Sequence, residues 1–157
     1  MNLSKDFLDF LECLNNAKVK YLVVGGYALG FHGYPRYTGD LDIWIERTST
    51  NVEKLLLAVR LFGGPSAEID ATQLLEEPSE TNPCPGISFG MEPLRLEIIN
   101  AISGVNFADC FPRGIVKSIH GVELKYIHVD DLIENKLSTN RLKDKADVEE
   151  LNKRLKN

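Results

Sequence analysis

A chain of 157 residues with 43% hydrophobic and 26% charged side chains has the size and balance of one soluble domain, and too little length for two sizeable ones. Its net charge of −5 argues against an extended nucleic-acid-binding face, which needs a basic surface. Three widely spaced cysteines (Cys13, Cys84, Cys110) and three histidines (His32, His120, His128) off zinc-ligand spacing exclude a disulfide scaffold or zinc finger and suggest reduced thiols in a cytoplasmic protein.

Ser4 is positioned to cap a first helix whose apolar face is Phe7, Phe10, Leu11 and Leu14. Asp6, Asp9 and Glu12 interrupt that face, so the segment is not expected to be a signal peptide. Val19 to Val24 reads as a buried strand broken by Gly25-Gly26, with a helix starting over Tyr27 to His32. The apolar stretch Tyr21 to Phe31 is too short and too glycine-rich for a membrane span of about 20 residues. Leu41, Ile43 and Ile45 alternate with Asp40, Asp42 and Trp44, the period of a strand. Thr50-x-x-Glu53 predicts a capping box for a helix through Leu55, Leu56 and Val59, stopped at Gly63-Gly64-Pro65.

A short helix is expected near Gln73 to Glu76, inside an otherwise polar, proline-bearing segment from Ser66 to Pro85. Ile87 to Phe89 and Leu94 to Ile99 predict a hairpin turning over Gly90 to Pro93, and Ile115 to Ile119 with Val122 to Ile127 a second one around His120-Gly121. Asp130 is expected to cap a helix carrying Leu132, Ile133 and Lys136, and a last helix runs from about Lys143 to Leu155. Antiparallel hairpins in this order favour an α+β fold, a mixed β-sheet flanked by α-helices, over a doubly wound parallel sheet.

Asp40 and Asp42 leave the same face of their strand and would repel one another unless a cation lies between them. A hard divalent ion with oxygen ligands suits such a pair; two solvated acids at a strand start is the plainer alternative. Gly25-Gly26, between strand and helix, lets a backbone approach a phosphate closely, or is an ordinary turn. Glu97 lies within the apolar run Leu94 to Ile99, where a carboxylate needs a partner or a function. It could complete a metal site, act as general base, or pair with Arg95 or Lys125.

Together these pieces resemble the DNA polymerase β-type nucleotidyltransferase superfamily, whose signature is Gly-[Gly/Ser], a loop, Asp-x-Asp and a later acid on a neighbouring strand. More narrowly, the chain is similar to small bacterial nucleotidyltransferase-like proteins related to the AbiEii toxins and the minimal nucleotidyltransferase antitoxins. Arg36-Tyr37-Thr38-Gly39-Asp40-Leu41-Asp42 resembles their Arg-x-Thr-x-Asp-apolar-Asp element, and Leu94 to Gly104 their third-acid strand, with Glu97 where Asp is commoner. Lys136 followed by Arg141-Leu142-Lys143-Asp144-Lys145-Ala146-Asp147 resembles their Lys-x(4)-Arg-x-Lys-Asp-x-x-Asp block.

The resemblance implies a single nucleotidyltransferase domain over 1–157, with its C-terminal helices beginning near 130. It implies Mg²⁺, with Mn²⁺ as an alternative, held by Asp40, Asp42 and Glu97, which are also the catalytic acids. A nucleoside triphosphate would be bound by Gly25, Gly26, Arg36, Thr38, Lys136, Arg141 and Lys143. The basic block has a plainer reading too, as helix-surface charge paired with Asp144 and Asp147. The reaction implied is transfer of a nucleoside monophosphate to a hydroxyl of a protein, an RNA or a small molecule. The alternative is an idle nucleotide-binding or partner-binding protein, such as one half of a toxin–antitoxin pair.

Overall fold

The apolar run Tyr21-Leu22-Val23-Val24 is buried along its whole length, as the middle of a sheet requires. In the computed structural model, which describes residues 3–91 and 94–157, this run is strand β1, Tyr21–Val24. It is preceded by helix α1 (Lys5–Asn16), whose first turn is closed by the Ser4 hydroxyl accepting from the Phe7 N–H at 3.2 Å. Helix α2 follows directly (Gly25–Phe31), so the glycine pair is its first turn rather than a break before it. Strand β2 (Asp40–Ile45) and helix α3 (Ser49–Phe62) come next. After them are the short helix α4 (Ala71–Leu75) and strands β3 (Gly86–Met91) and β4 (Leu94–Ile99).

The expected turn between β3 and β4 lies partly outside the described residues. Helix α5 (Phe107–Cys110), strands β5 (Ile115–Ile119) and β6 (Val122–Tyr126), and helices α6 (Val129–Leu137) and α7 (Leu142–Leu155) complete the chain. His120 and Gly121 carry φ of 49° and 82°, the two positive values a type I′ hairpin turn demands. Among the described residues the strands form one open mixed sheet in the order β3-β4-β2-β1-β6-β5. The central β1 and β2 are antiparallel, and each has a parallel neighbour outside it: β6 beside β1 and β4 beside β2. The chain is thus α+β with a mixed sheet. None of its described helices is long and apolar enough to cross a membrane.

Register decides what the two faces of the sheet do. Leu41, Ile43 and Ile45 are fully buried on one face. Leu96 and Ile98 of β4 stand beside Leu41 and Ile43, and Phe89 of β3 beside Leu96. Phe10 of α1 meets Phe89 edge-on at 5.7 Å and Phe62 of α3 at 5.2 Å, so α1 and α3 cover this side with aromatic contacts. The other face of β2 carries Asp40, Asp42 and Trp44.

Two caps fall elsewhere than the spacing predicts. Thr48, not Thr50, caps α3 by accepting from the Asn51 N–H. His128, not Asp130, caps α6, its Nδ1 accepting from the Asp130 N–H at 3.1 Å. Starting α3 earlier turns Asn51 inward, where it accepts from the Lys20 N–H and donates to the carbonyls of Lys20 and Glu46. This side chain ties the entry of β1 to the exit of β2. Asp130 is left in the first turn of α6, where its charge suits the helix dipole.

Candidate functional site

β1 hands the chain to α2 through Gly25, and this residue adjoins the acids. Its φ is +66°, and a Cβ placed on it would come 2.1 Å from Asp42 Oδ2. Glycine is required twice over, by conformation and by the carboxylate lying against its backbone. Asp42 is flanked in register by Val24 of β1 and Glu97 of β4, and Asp40 by Arg95. Three carboxylates therefore occupy neighbouring positions on one face of adjacent strands.

Their electrostatics follow from that crowding. Burial pushes the Asp42 carboxyl up to about 7, and the charges of Asp40 and Glu97 add to the rise, against Lys136 and Lys143, which oppose it. Glu97 is also raised, by burial first, with Arg95 pulling the other way and Asp40 adding to it. A cation brought among these groups would relieve both repulsion and desolvation. Among the described residues no three His, Cys, Asp or Glu side chains form a ready-made metal cage. An ion held by Asp40 and Asp42 would draw part of its shell from a ligand, as Mg²⁺ commonly does.

The acids form one wall of a cleft of about 370 Å³, whose lining includes Gly25, Gly26, Arg36, Thr38, Asp40 and Asp42. Lys136, Arg141 and Lys143 line it as well. Residues separated by more than 100 positions thus meet in one concavity. Glu97 does not line it; half-buried on β4, it pairs with Arg95 at 3.0 Å. The salt-bridge alternative for Glu97 is the one the geometry contains, with Arg95 as partner, while Lys125 sits over the Phe111 ring at 3.5 Å. Thr38 closes the loop before β2, its hydroxyl bonded to both backbone groups of Asp40. Its side chain packs so closely on Gly26 that a Cβ there would lie 3.0 Å from it.

The basic residues are more occupied than the resemblance implies. Lys136 is buried, 6% exposed, and its ammonium donates to Asp147 at 2.9 Å and Asp144 at 3.2 Å. It is not surface charge, yet its partners are the two aspartates of the plainer reading. Arg36 donates from Nη2 to Asp147 at 2.9 Å, and Arg141 from Nε to Asp144 at 2.6 Å. Burial alone would raise Asp144, but hydrogen bonds from Thr139 and Arg141 and the charge of Lys136 hold it below its ordinary value. Two groups keep capacity for a ligand. Arg36 Nε is buried with no hydrogen-bond partner among the described residues, and exposed Lys143 makes no ion pair among them.

Sequence reasoning passed over Tyr37, which is 86% exposed beside this cleft, and Thr139, which completes the network at Asp144. An aromatic between Arg36 and Thr38 was visible in the sequence; its exposure was not. No protein-family model matches the chain, and no curated protein is significantly similar to it in sequence.

Two stability measurements check this description. Asp42 binds its proton more tightly in the folded chain than in the unfolded one. The metal-free protein should therefore lose stability as pH rises from about 4 through about 7. Asp42→Asn should raise the unfolding free energy at pH 8 by roughly 2 kcal/mol, and the gain should vanish below about pH 4. A destabilised variant at pH 8, measured by urea unfolding with chelator present, would mean that the carboxylate holds the fold together. Lys136→Ala should cost about 3 kcal/mol in the same assay, because it strips a cation from two buried aspartates. A loss below about 1 kcal/mol would mean that the buried network contributes little.

Proposed function

We propose that this chain has the nucleotidyltransferase fold and binds a nucleoside triphosphate in the cleft between Gly25-Gly26, the Asp40/Asp42 pair and the basic wall from α6 and α7. On this reading it moves a nucleoside monophosphate to an acceptor hydroxyl. The observation that carries the proposal is the contact between Gly25 and Asp42. It brings backbone that has no Cβ against a carboxylate that burial and neighbouring acids raise, in a cleft that Lys143 and Arg141 also line.

The residues present fit a divalent cation: two aspartates on one strand face, one of them, Asp42, raised to about 7 by burial first and then by the charges of Asp40 and Glu97. Asp40 and Asp42 would hold Mg²⁺, or Mn²⁺ in its place. Bound there, the ion would neutralise charge on the triphosphate and on the departing pyrophosphate. Gly25 and Gly26 leave room for phosphate oxygens against the backbone. Arg36 Nε, the exposed guanidinium of Arg141 and the Lys143 ammonium supply donors to them. Lys136 acts mainly through its two aspartates, keeping α6 and α7 in register beside the acids. The acceptor oxygen attacks the α-phosphorus, a new O–P bond forms, and the bond to the leaving pyrophosphate breaks. The hydroxyl proton leaves to water in the open cleft, while Glu97, beside Asp42 but outside the lining and paired with Arg95, acts on the acids through its charge.

A second reading is favoured by a specific observation. Arg36, Lys136 and Arg141 already answer Asp144 and Asp147, and Glu97 answers Arg95. A nucleotide-binding or partner-binding protein without turnover, such as one half of a toxin–antitoxin pair, would tolerate such pairing.

Triphosphates labelled at the α- or the γ-phosphorus distinguish the two. Incubated with Mg²⁺ and extract from its own host, the chain should transfer α-label to an acceptor and release γ-label only in pyrophosphate. Asp42→Asn should abolish transfer, and Lys143→Ala should weaken triphosphate binding about fivefold by calorimetry, the loss of one exposed phosphate contact of roughly 1 kcal/mol. Transfer of γ-label instead, or transfer that survives Asp42→Asn, contradicts the proposal. Binding without any transfer selects the second reading.

A further inference from the structure

A larger cavity, about 740 Å³, lies beside the nucleotide cleft, between segments 78–83 and 100–107, with Trp44 in its wall. The two cavities share Ile102 and Ser103. Trp44 follows Asp40 and Asp42 on the same face of β2 and stands one pleat repeat beyond Asp42, roughly 7 Å along the strand. A molecule held at Trp44 is therefore within reach of a phosphate held at Asp42.

Two buried polar atoms belong to residues lining this cavity and have no hydrogen-bond partner among the described residues: Trp44 Nε1 and Asn100 Oδ1. Their side chains are 1% and 5% exposed. The Asn100 amide cannot turn over to hide its oxygen, because Nδ2 donates to the carbonyls of Leu74 and Glu76, both at 2.9 Å. Leaving such groups unpaired is unfavourable, and a phenylalanine in place of Trp44 would avoid half the problem. Phe107, half-buried, stands edge-on to the indole at 5.3 Å and lines the same cavity.

The orphans define the ligand's chemistry. One is a donor and the other an acceptor. A carboxylate or phosphate could accept from the indole but could not donate to Asn100, and an ammonium could do only the reverse. A hydroxyl does both. Arg47 and Glu80 in the lining bring opposite charges, so a polyanion gains nothing there, while a neutral or zwitterionic molecule does. The volume suits a compound of metabolite size. We infer that this cavity is the acceptor site, and that it takes a neutral or zwitterionic small molecule bearing a hydroxyl group. This inference rests on the nucleotide reading of the first cleft. The hydroxyl oxygen attacks the α-phosphorus of the nucleoside triphosphate, pyrophosphate leaves, and the proton passes to water in the open cleft.

The experiment titrates the full chain, without nucleotide, with glycerol, D-ribose, myo-inositol and L-serine by calorimetry. At least one should bind, about tenfold more weakly to Trp44→Phe, which removes the orphan donor together with part of the indole's bulk; urea unfolding checks that the titrated variant is folded. Asp42→Asn should leave that affinity within twofold. With Mg²⁺ and α-labelled triphosphate, the bound compound should acquire label. No binding by any of the four compounds overturns the inference, as does equal binding to Trp44→Phe. A compound that binds yet stays unlabelled, while triphosphate binding is demonstrated in the same tube, also overturns it and leaves the nucleotide reading standing. Failure of the triphosphate itself to bind removes that reading, and the acceptor role with it.

Discussion

The arrangement around Asp42 depends on one constraint: a half-buried carboxylate is pressed between Gly25 on one side and two further acids on the other. Only glycine at position 25 leaves the space that Asp42 Oδ2 occupies. Register then brings Glu97 alongside and keeps Asp40 two residues away on the same face. The consequence is a carboxyl that titrates near neutrality, which is electrostatically unfavourable at physiological pH unless positive charge arrives. On the proposed reading a cation would relieve that penalty, and a phosphate ligand in the neighbouring cleft would supply the rest of the ion's shell.

The basic side answers the acidic side at one remove. Lys136, Arg36 and Arg141 converge on Asp144 and Asp147, whose side chains are almost wholly buried. Such a network is weak grounds for net stability and better grounds for fixed geometry. It locks the loop before β2, which carries Arg36 and Thr38, to α6 and α7. Arg36 and Lys143 line the same cleft as Asp40 and Asp42. The same coupling explains why charges from helices near the C-terminus reach the pKa of a residue on the second strand.

Much of this was legible in the residues themselves, and the gaps have physical causes. Alternation exposed the shared face of Asp40 and Asp42, and His120-Gly121 announced a tight hairpin, because both signals are local. The pairing of Asp42 with Glu97 joins strands about fifty positions apart, so the residues nominate Glu97, and Arg95 or Lys125 as its ion-pair partner, without fixing Asp42 as its neighbour in the sheet or choosing between the two cations. The resemblance makes Lys136 a phosphate ligand, and a lysine between Asn135 and Leu137 carries no sign that it is buried. Asp144 and Asp147 are its expected partners in the plainer reading, but only the folding of α7 against α6 buries that pairing. Helix α5, Phe107–Cys110, is too short for any periodicity to show. The caps at Thr48 and His128 were missed by two residues because Thr50 and Asp130 are equally good cap chemistry.

The central claim, that a metal–triphosphate complex sits between Gly25 and the Asp40/Asp42 pair, is tested most directly by paramagnetic broadening in the ¹⁵N-labelled chain. Mn²⁺ added with a non-hydrolysable triphosphate should erase the amide signals of Gly25, Gly26 and Asp40 to Asp42 before those of β5 at the far edge of the sheet. Replacing both aspartates with alanine should abolish the effect. Broadening centred elsewhere, or unchanged when both aspartates are gone, would contradict the account.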